Sequence, residues 1–195
     1  MNTFTIERMR CEHAVNPLGV EEARPRLSWE LCGSRRGLRQ AAYRLRAASS
    51  PAGLAAGAGA LWDSGRVESA QSVLVVYGGP RLRSRQRVYW QVEVWDDAGE
   101  LAAGAPAFWE MGLLRERDWS ARWIACLMGG PSVSVEPAPF LRREFRLDRP
   151  VASARATCAA SAITSFTSTV GAWATRCCIR PLPGMTSGRF IRSMT

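Results

Sequence analysis

Hydrolytic acid–base chemistry needs two carboxylates converging on one bond, one keeping a proton and one activating water or attacking. The densest local candidates in this chain are Asp96 and Asp97, followed by Asp63 in the run Trp62-Asp63-Ser64-Gly65. Adjacent residues of a strand point to opposite faces, so Asp96 and Asp97 are not expected to converge on one bond. Asx residues beside Gly are turn formers, and turn capping accounts for all three aspartates. No catalytic residue is predicted. Metal chemistry fares no better: His13 is the only histidine, and the six cysteines, among them Cys11, Cys32, Cys126, Cys177 and Cys178, form no C-x-x-C. Reduced, mostly buried thiols, with no metal and no cofactor, are the expectation.

Arg81, Arg83, Arg85 and Arg87 recur at period two. On a strand they would line one face, the parity of Tyr89 and Gln91. Such a stripe could track phosphates. The aromatic and glycine pattern of a nucleic-acid module is missing around it, so a solvated outer sheet face is the reading, with no nucleic acid as partner. Tyr89 and Trp95 could stack on sugar faces, although aromatics of this kind more often pack into a core or an interface.

What positions these groups is the stretch Ser84 to Gly99. Val88, Trp90, Val92 and Val94 alternate with Tyr89, Gln91, Glu93 and Trp95, as in a strand with one face in a core. Asp96 to Gly99 supplies hairpin chemistry. Around it, short strands are predicted at 5–10, 27–32 with Trp29 inward, 40–48 with Tyr43, Leu45 and Ala47 on one face, 61–65, 71–77 and 107–113. The Ala/Gly/Ser-rich run 49–60 reads as a surface excursion. Seven short strands with turn signals between them predict an all-β, fibronectin type III/Ig-like sandwich over 5–113. Segment 114–155 reads as a linker and the first strands of an incomplete second β-sandwich, too small to bury a core alone.

The chain has 195 residues, 47% of them hydrophobic, enough for a buried core. No apolar run approaches a membrane span, so no membrane partner is expected. Glu7 and Arg8 interrupt the opening where a secretory signal would be apolar, which predicts a cytoplasmic location. All 26 basic residues are Arg. Lysine codons are A-rich and most arginine codons GC-rich, so genome composition explains that bias without a ligand. Residues 1–155 hold 22 Arg against 17 acids, leaving only +5 of the net +9.

Together RCEHAVNPLGV (10–20), PRLSWEL (25–31), LWDSGRVES (61–69), SRQRVYWQVEVWDDAG (84–99), FWEMGLL (108–114), DWSARWI (118–124) and PAPFLRREFRLDRPVASAR (137–155) resemble the amino-terminal part of bacterial α-L-rhamnosidases. The resemblance implies a fibronectin-like module ahead of a β-sandwich domain and further modules. It also implies a later α/α-barrel that holds the carboxylates cleaving terminal rhamnose. No catalytic residue carries over, because the barrel would lie beyond residue 195. The implied product is a truncated, non-catalytic fragment whose partners, in the intact parent, are its own later domains and rhamnoside substrates. A free-standing module binding a protein or a glycan is the alternative.

After Arg155 the composition breaks: no Asp, Glu, Lys or His follows, while Cys, Ser and Thr accumulate. Read one base out of register, codons spanning Ser161 to Arg180 permit LGYHELHINGRRVGDAVLHP. That string alternates like a strand pair about an Asn-Gly hairpin, and it resembles the family's continuation. Residues 156–195 are therefore expected to be out-of-frame translation, forming a disordered tail.

Overall fold

A computed structural model describes residues 4–57, 60–122, 148, 154–159 and 189–194. The chain forms strands β1 (Phe4–Cys11), β2 (Leu18–Val20), β3 (Arg26–Gly33) and β4 (Gln40–Ala48), then a short helix α1 (Pro51–Ala56). There follow β5 (Ala60–Asp63), β6 (Val67–Glu68), β7 (Val75–Val76), β8 (Arg87–Asp96), β9 (Leu101–Ala103), β10 (Ala107–Met111), a 3-10 turn (Glu116–Asp118), β11 (Ala154–Ala159) and β12 (Arg189–Met194). One sheet has the order β1-β3-β7; the larger one has β2-β10-β8-β4-β5, with β6 on β4 and β9 on β8. The inner faces of the two sheets enclose one apolar core, the all-β Ig-like sandwich that the alternation predicts.

Strand β8 lies at the middle of the larger sheet, and its parity decides what it buries. Val88, Trp90, Val92 and Val94 are at most 1% exposed, while every residue of the other parity is only partly covered. Trp90 meets Trp109 of β10 edge-to-face at 6.5 Å, Trp109 meets Tyr77 at 5.5 Å, and Tyr77 meets Trp62 at 5.0 Å. This aromatic chain runs through the centre, where ring edges meet ring faces favourably. Trp29 of β3 points inward as expected and packs against Tyr43 of β4 at 5.4 Å. Its indole N–H donates to Gln40 Oε1 at 2.8 Å. Gln40 Nε2 in turn donates to the carbonyls of Ser69 and Gln71 at 2.9 and 2.8 Å. One buried amide thus ties β3, β4 and the approach to β7 together.

Strand β4 occupies the predicted 40–48. The predicted strand 71–77 shrinks to Val75–Val76, because Leu74 has a left-handed φ of 55°. Its N–H leaves the ladder to donate to Ser28 Oγ at 2.9 Å. The run 49–60 contains a helix that the sequence reading places in a loop. Ser50 Oγ accepts from the Gly53 N–H at 3.0 Å, and Gly57 closes the last turn at φ 65°. Leu54 anchors this helix at 3% exposure.

β10 pairs with Arg87–Trp90 and β9 with Glu93–Trp95, so β8 changes neighbour along one edge. At the changeover the Gly104 N–H donates to the Val92 carbonyl at 2.9 Å. A Cβ on Gly104 would stand 2.5 Å from Met9 Sδ of β1, so a larger residue there requires the Met9 side chain to shift. β11 and β12 pair antiparallel. Apart from these strands and Asp148, the second-domain and tail expectations from 123 onward lie outside the described residues.

Candidate functional site

Asp96 continues the buried parity of β8, and its side chain is fully covered. Its Oδ1 accepts from the Ala98 and Glu100 N–H groups at 3.0 and 2.8 Å, the turn role expected of it. Its Oδ2 accepts from Arg35 Nη2 at 2.9 Å, and the same guanidinium nitrogen also donates to Asp97 Oδ1. The two carboxylates therefore do meet, which corrects the strand-parity argument. Asp97 lies past the last strand residue, where alternation no longer dictates direction. They meet on a cation rather than around a substrate-sized gap. The Arg35 hydrogen bond holds the Asp97 carboxyl below its ordinary range, the opposite of what a proton-keeping acid needs.

Asp63 caps its turn by accepting from the Gly65 N–H at 2.9 Å. It also receives Arg44 in a fork, Nε to Oδ1 at 2.9 Å and Nη2 to Oδ2 at 2.5 Å, and its carboxyl is held low by that hydrogen bond. Arg46 donates to Glu93 at 2.8 Å on the same outer face. The hollow beside these groups, lined by Arg44, Arg46, Leu54 and Asp63, measures about 60 Å³. A second, by Arg24, Gly79 and Arg81, measures about 250 Å³. Ligand pockets usually run to roughly 300–1,000 Å³.

The arginine stripe does not form. Ser84 and Arg85 make a turn, with Arg85 at φ 63° and the Gln86 N–H donating to the Arg83 carbonyl at 3.1 Å. β8 begins only at Arg87, so period two in the sequence never becomes one face. Arg87 is not solvated bait either: Nη2 donates to Glu110 Oε2 at 2.8 Å, and the guanidinium lies 4.7 Å from the Phe108 ring centroid. Glu110 Oε1 also accepts from Arg155 Nε at 3.0 Å.

Tyr89 and Trp95 are half-buried rather than open platforms. Tyr89 packs against Phe108 at 6.1 Å, and the Arg66 guanidinium covers the Trp95 ring at 4.8 Å. His13 sits in a tight turn at φ 68°. Cys11 is buried, which pushes its thiol pKa upward, and Cys32 is exposed. Among the described residues no three His, Cys, Asp or Glu cluster as metal ligands, and no helix is long and apolar enough to cross a membrane. The sequence reading missed Arg35, Gln40 and Glu110. Only the alternation of β10, which puts Glu110 opposite Arg87, offered a signal for one of them.

Residues 6–115 match the family described as "Rha78A-like, N-terminal immunoglobulin domain". The chain is 45% identical over 126 residues to an α-L-rhamnosidase of Streptomyces avermitilis, covering 64% of this chain and 12% of that protein. It is 38% identical over 147 residues to an α-L-rhamnosidase of Formosa agariphila, covering 72% and 16%. The crystal structure of the Streptomyces avermitilis α-L-rhamnosidase complexed with L-rhamnose superposes with a TM-score of 0.59 at 45% identity, covering 63% of this chain and 12% of that one. The chain thus spans about 12–16% of the length of these curated relatives.

Proposed function

Because this chain belongs to the family of Rha78A-like N-terminal immunoglobulin domains, we propose that it is the non-catalytic amino-terminal module of an α-L-rhamnosidase. In the parent enzyme it buttresses later domains, and those later domains bind and cleave the rhamnoside. The module occupies 5–113, and 114–155 leads into the next β domain. The observation that carries this reading is the family match itself, running over residues 6–115 from within β1 through β10. The site geometry agrees with it: Asp63 and Asp97 are held ionised by arginine, and Asp96 is spent on a turn and on Arg35. A test is direct. The purified 195-residue chain, incubated with an aryl α-L-rhamnoside, is expected to release no rhamnose above a buffer control. Sustained release that scales with protein concentration would overturn the proposal.

The reading of 156–195 as out-of-frame translation belongs to the same proposal. It is supported by the abrupt loss of acidic residues and by the alternating string recovered one base away. The alignments to the curated relatives cover 56–74% of the chain, in keeping with a tail of different origin. Sequencing the gene through codon 155 is expected to reveal the register break, and an uninterrupted frame with no compensating shift would sink it.

A further inference from the structure

Glu110 stands where three elements meet. It lies on β10, its side chain only 13% exposed, and two guanidinium groups share its carboxylate. Arg87 of β8 donates through Nε and Nη2 at 3.1 and 2.8 Å. Arg155 of β11 donates through Nε to Oε1 at 3.0 Å and through Nη2 to Oε2 at 3.3 Å. Two cations brought this close repel unless an anion lies between them, so the carboxylate is what makes the approach of β11 favourable.

The chain leaving β10 is fastened as well. The Arg85 N–H donates to the Gly112 carbonyl at 3.1 Å, and Leu113 is 4% exposed. The Leu114 N–H donates to Ser84 Oγ at 2.9 Å, and the Ser84 hydroxyl donates to Asp118 Oδ2. That carboxylate also accepts from the Arg115 N–H at 3.1 Å, closing the short 3-10 turn. Ser84 thus links the turn before β8 to the exit segment after β10.

We propose that the outer face of the larger sheet at β8 and β10 is a docking surface for the chain's own following segment. Glu110 is the latch that seats Arg155, and Ser84 fixes the exit segment at Leu114 and Asp118 to the turn before β8. The inference rests on the buttress reading and adds how the buttress grips: through a carboxylate shared by two arginines, not through an apolar patch. Arg155 is the last residue ahead of the proposed register break, while residues 156–159 of β11 and its partner β12 lie beyond it.

Hydrogen exchange on the full chain tests it. In E110R or R155E the backbone amides around Arg155 are expected to exchange roughly two- to fivefold faster, the range of a partly exposed ion pair. R155Q, which removes only the second cation, is expected to speed exchange around Arg155 in the same direction as R155E. R155Q leaves the Arg87–Glu110 pair intact and guards against an unfolded module, since β4 and β8 must stay protected in it. Equal exchange around Arg155 in the parent chain, R155E and R155Q overturns the latch. Rhamnose release reads the buttress proposal separately, so either can fail while the other stands.

Discussion

The two faces of β8 are built from the same ten residues and held by different physics. Inward, Val88, Trp90, Val92 and Val94 have lost essentially all contact with water. Burial of a large apolar side chain is worth roughly 1.5–3 kcal/mol and involves no group that titrates. Outward, Arg87, Gln91, Glu93 and their neighbours on β4 and β10 form a lattice of ion pairs and hydrogen bonds at partly exposed positions. Each such pair contributes roughly 0–1 kcal/mol, and the lattice sets which strands lie side by side more than how stable they are. Stability lives on one parity and pairing identity on the other.

The comparison breaks most visibly at Trp90. Replacing it with Ala removes the ring that meets Trp109, and chemical denaturation is expected to show a loss of roughly 3–5 kcal/mol. A loss below about 1 kcal/mol would mean the core is not organised around this strand. An intermediate effect is expected at Gln40, the polar member of the interior. Gln40→Leu keeps volume but strands the Trp29 indole N–H and the carbonyls of Ser69 and Gln71. Thermal unfolding should report a deficit of roughly 1–3 kcal/mol, and an unchanged midpoint would show that the amide is dispensable.

The smallest effect belongs to the outer face and depends on pH. Arg44 holds the Asp63 carboxyl below its ordinary value in the folded chain. The folded state therefore binds fewer protons than the unfolded one as acid is added. The resulting stability is present above the unfolded value of about 3.9 and is lost as pH falls through the lower folded value. Asp63→Asn should flatten that part of the acid-unfolding slope while changing stability at pH 7 by less than about 1 kcal/mol. A slope identical to that of the parent chain would remove Asp63 from the account.

The same division explains what could be read from the sequence. Alternation reports burial, so β4, β8 and the inward Trp29 were legible from letters alone. Pairing partners were not: Arg35 reaches Asp96 across 61 positions, and no local pattern marks it. The arginine stripe misled because a left-handed Arg85 breaks the strand that period two requires. Leu74 shortens β7 in the same way. The helix after β4 did carry signals, with Ser50 and Pro51 at its start and Gly57 at its end, but an Ala/Gly-rich composition masked them.

Three residues, Gly104 to Pro106, carry the chain from one partner position along β8 to the next. Their number matters as much as their identity. One extra residue there would turn β10 over, driving Phe108 inward and Trp109 out to water. The emission of Trp109 would then shift to the red, and an unshifted spectrum in such an insertion variant would deny it. The spacer thus counts as well as connects: it encodes, as a length, which side of the returning strand belongs to the interior.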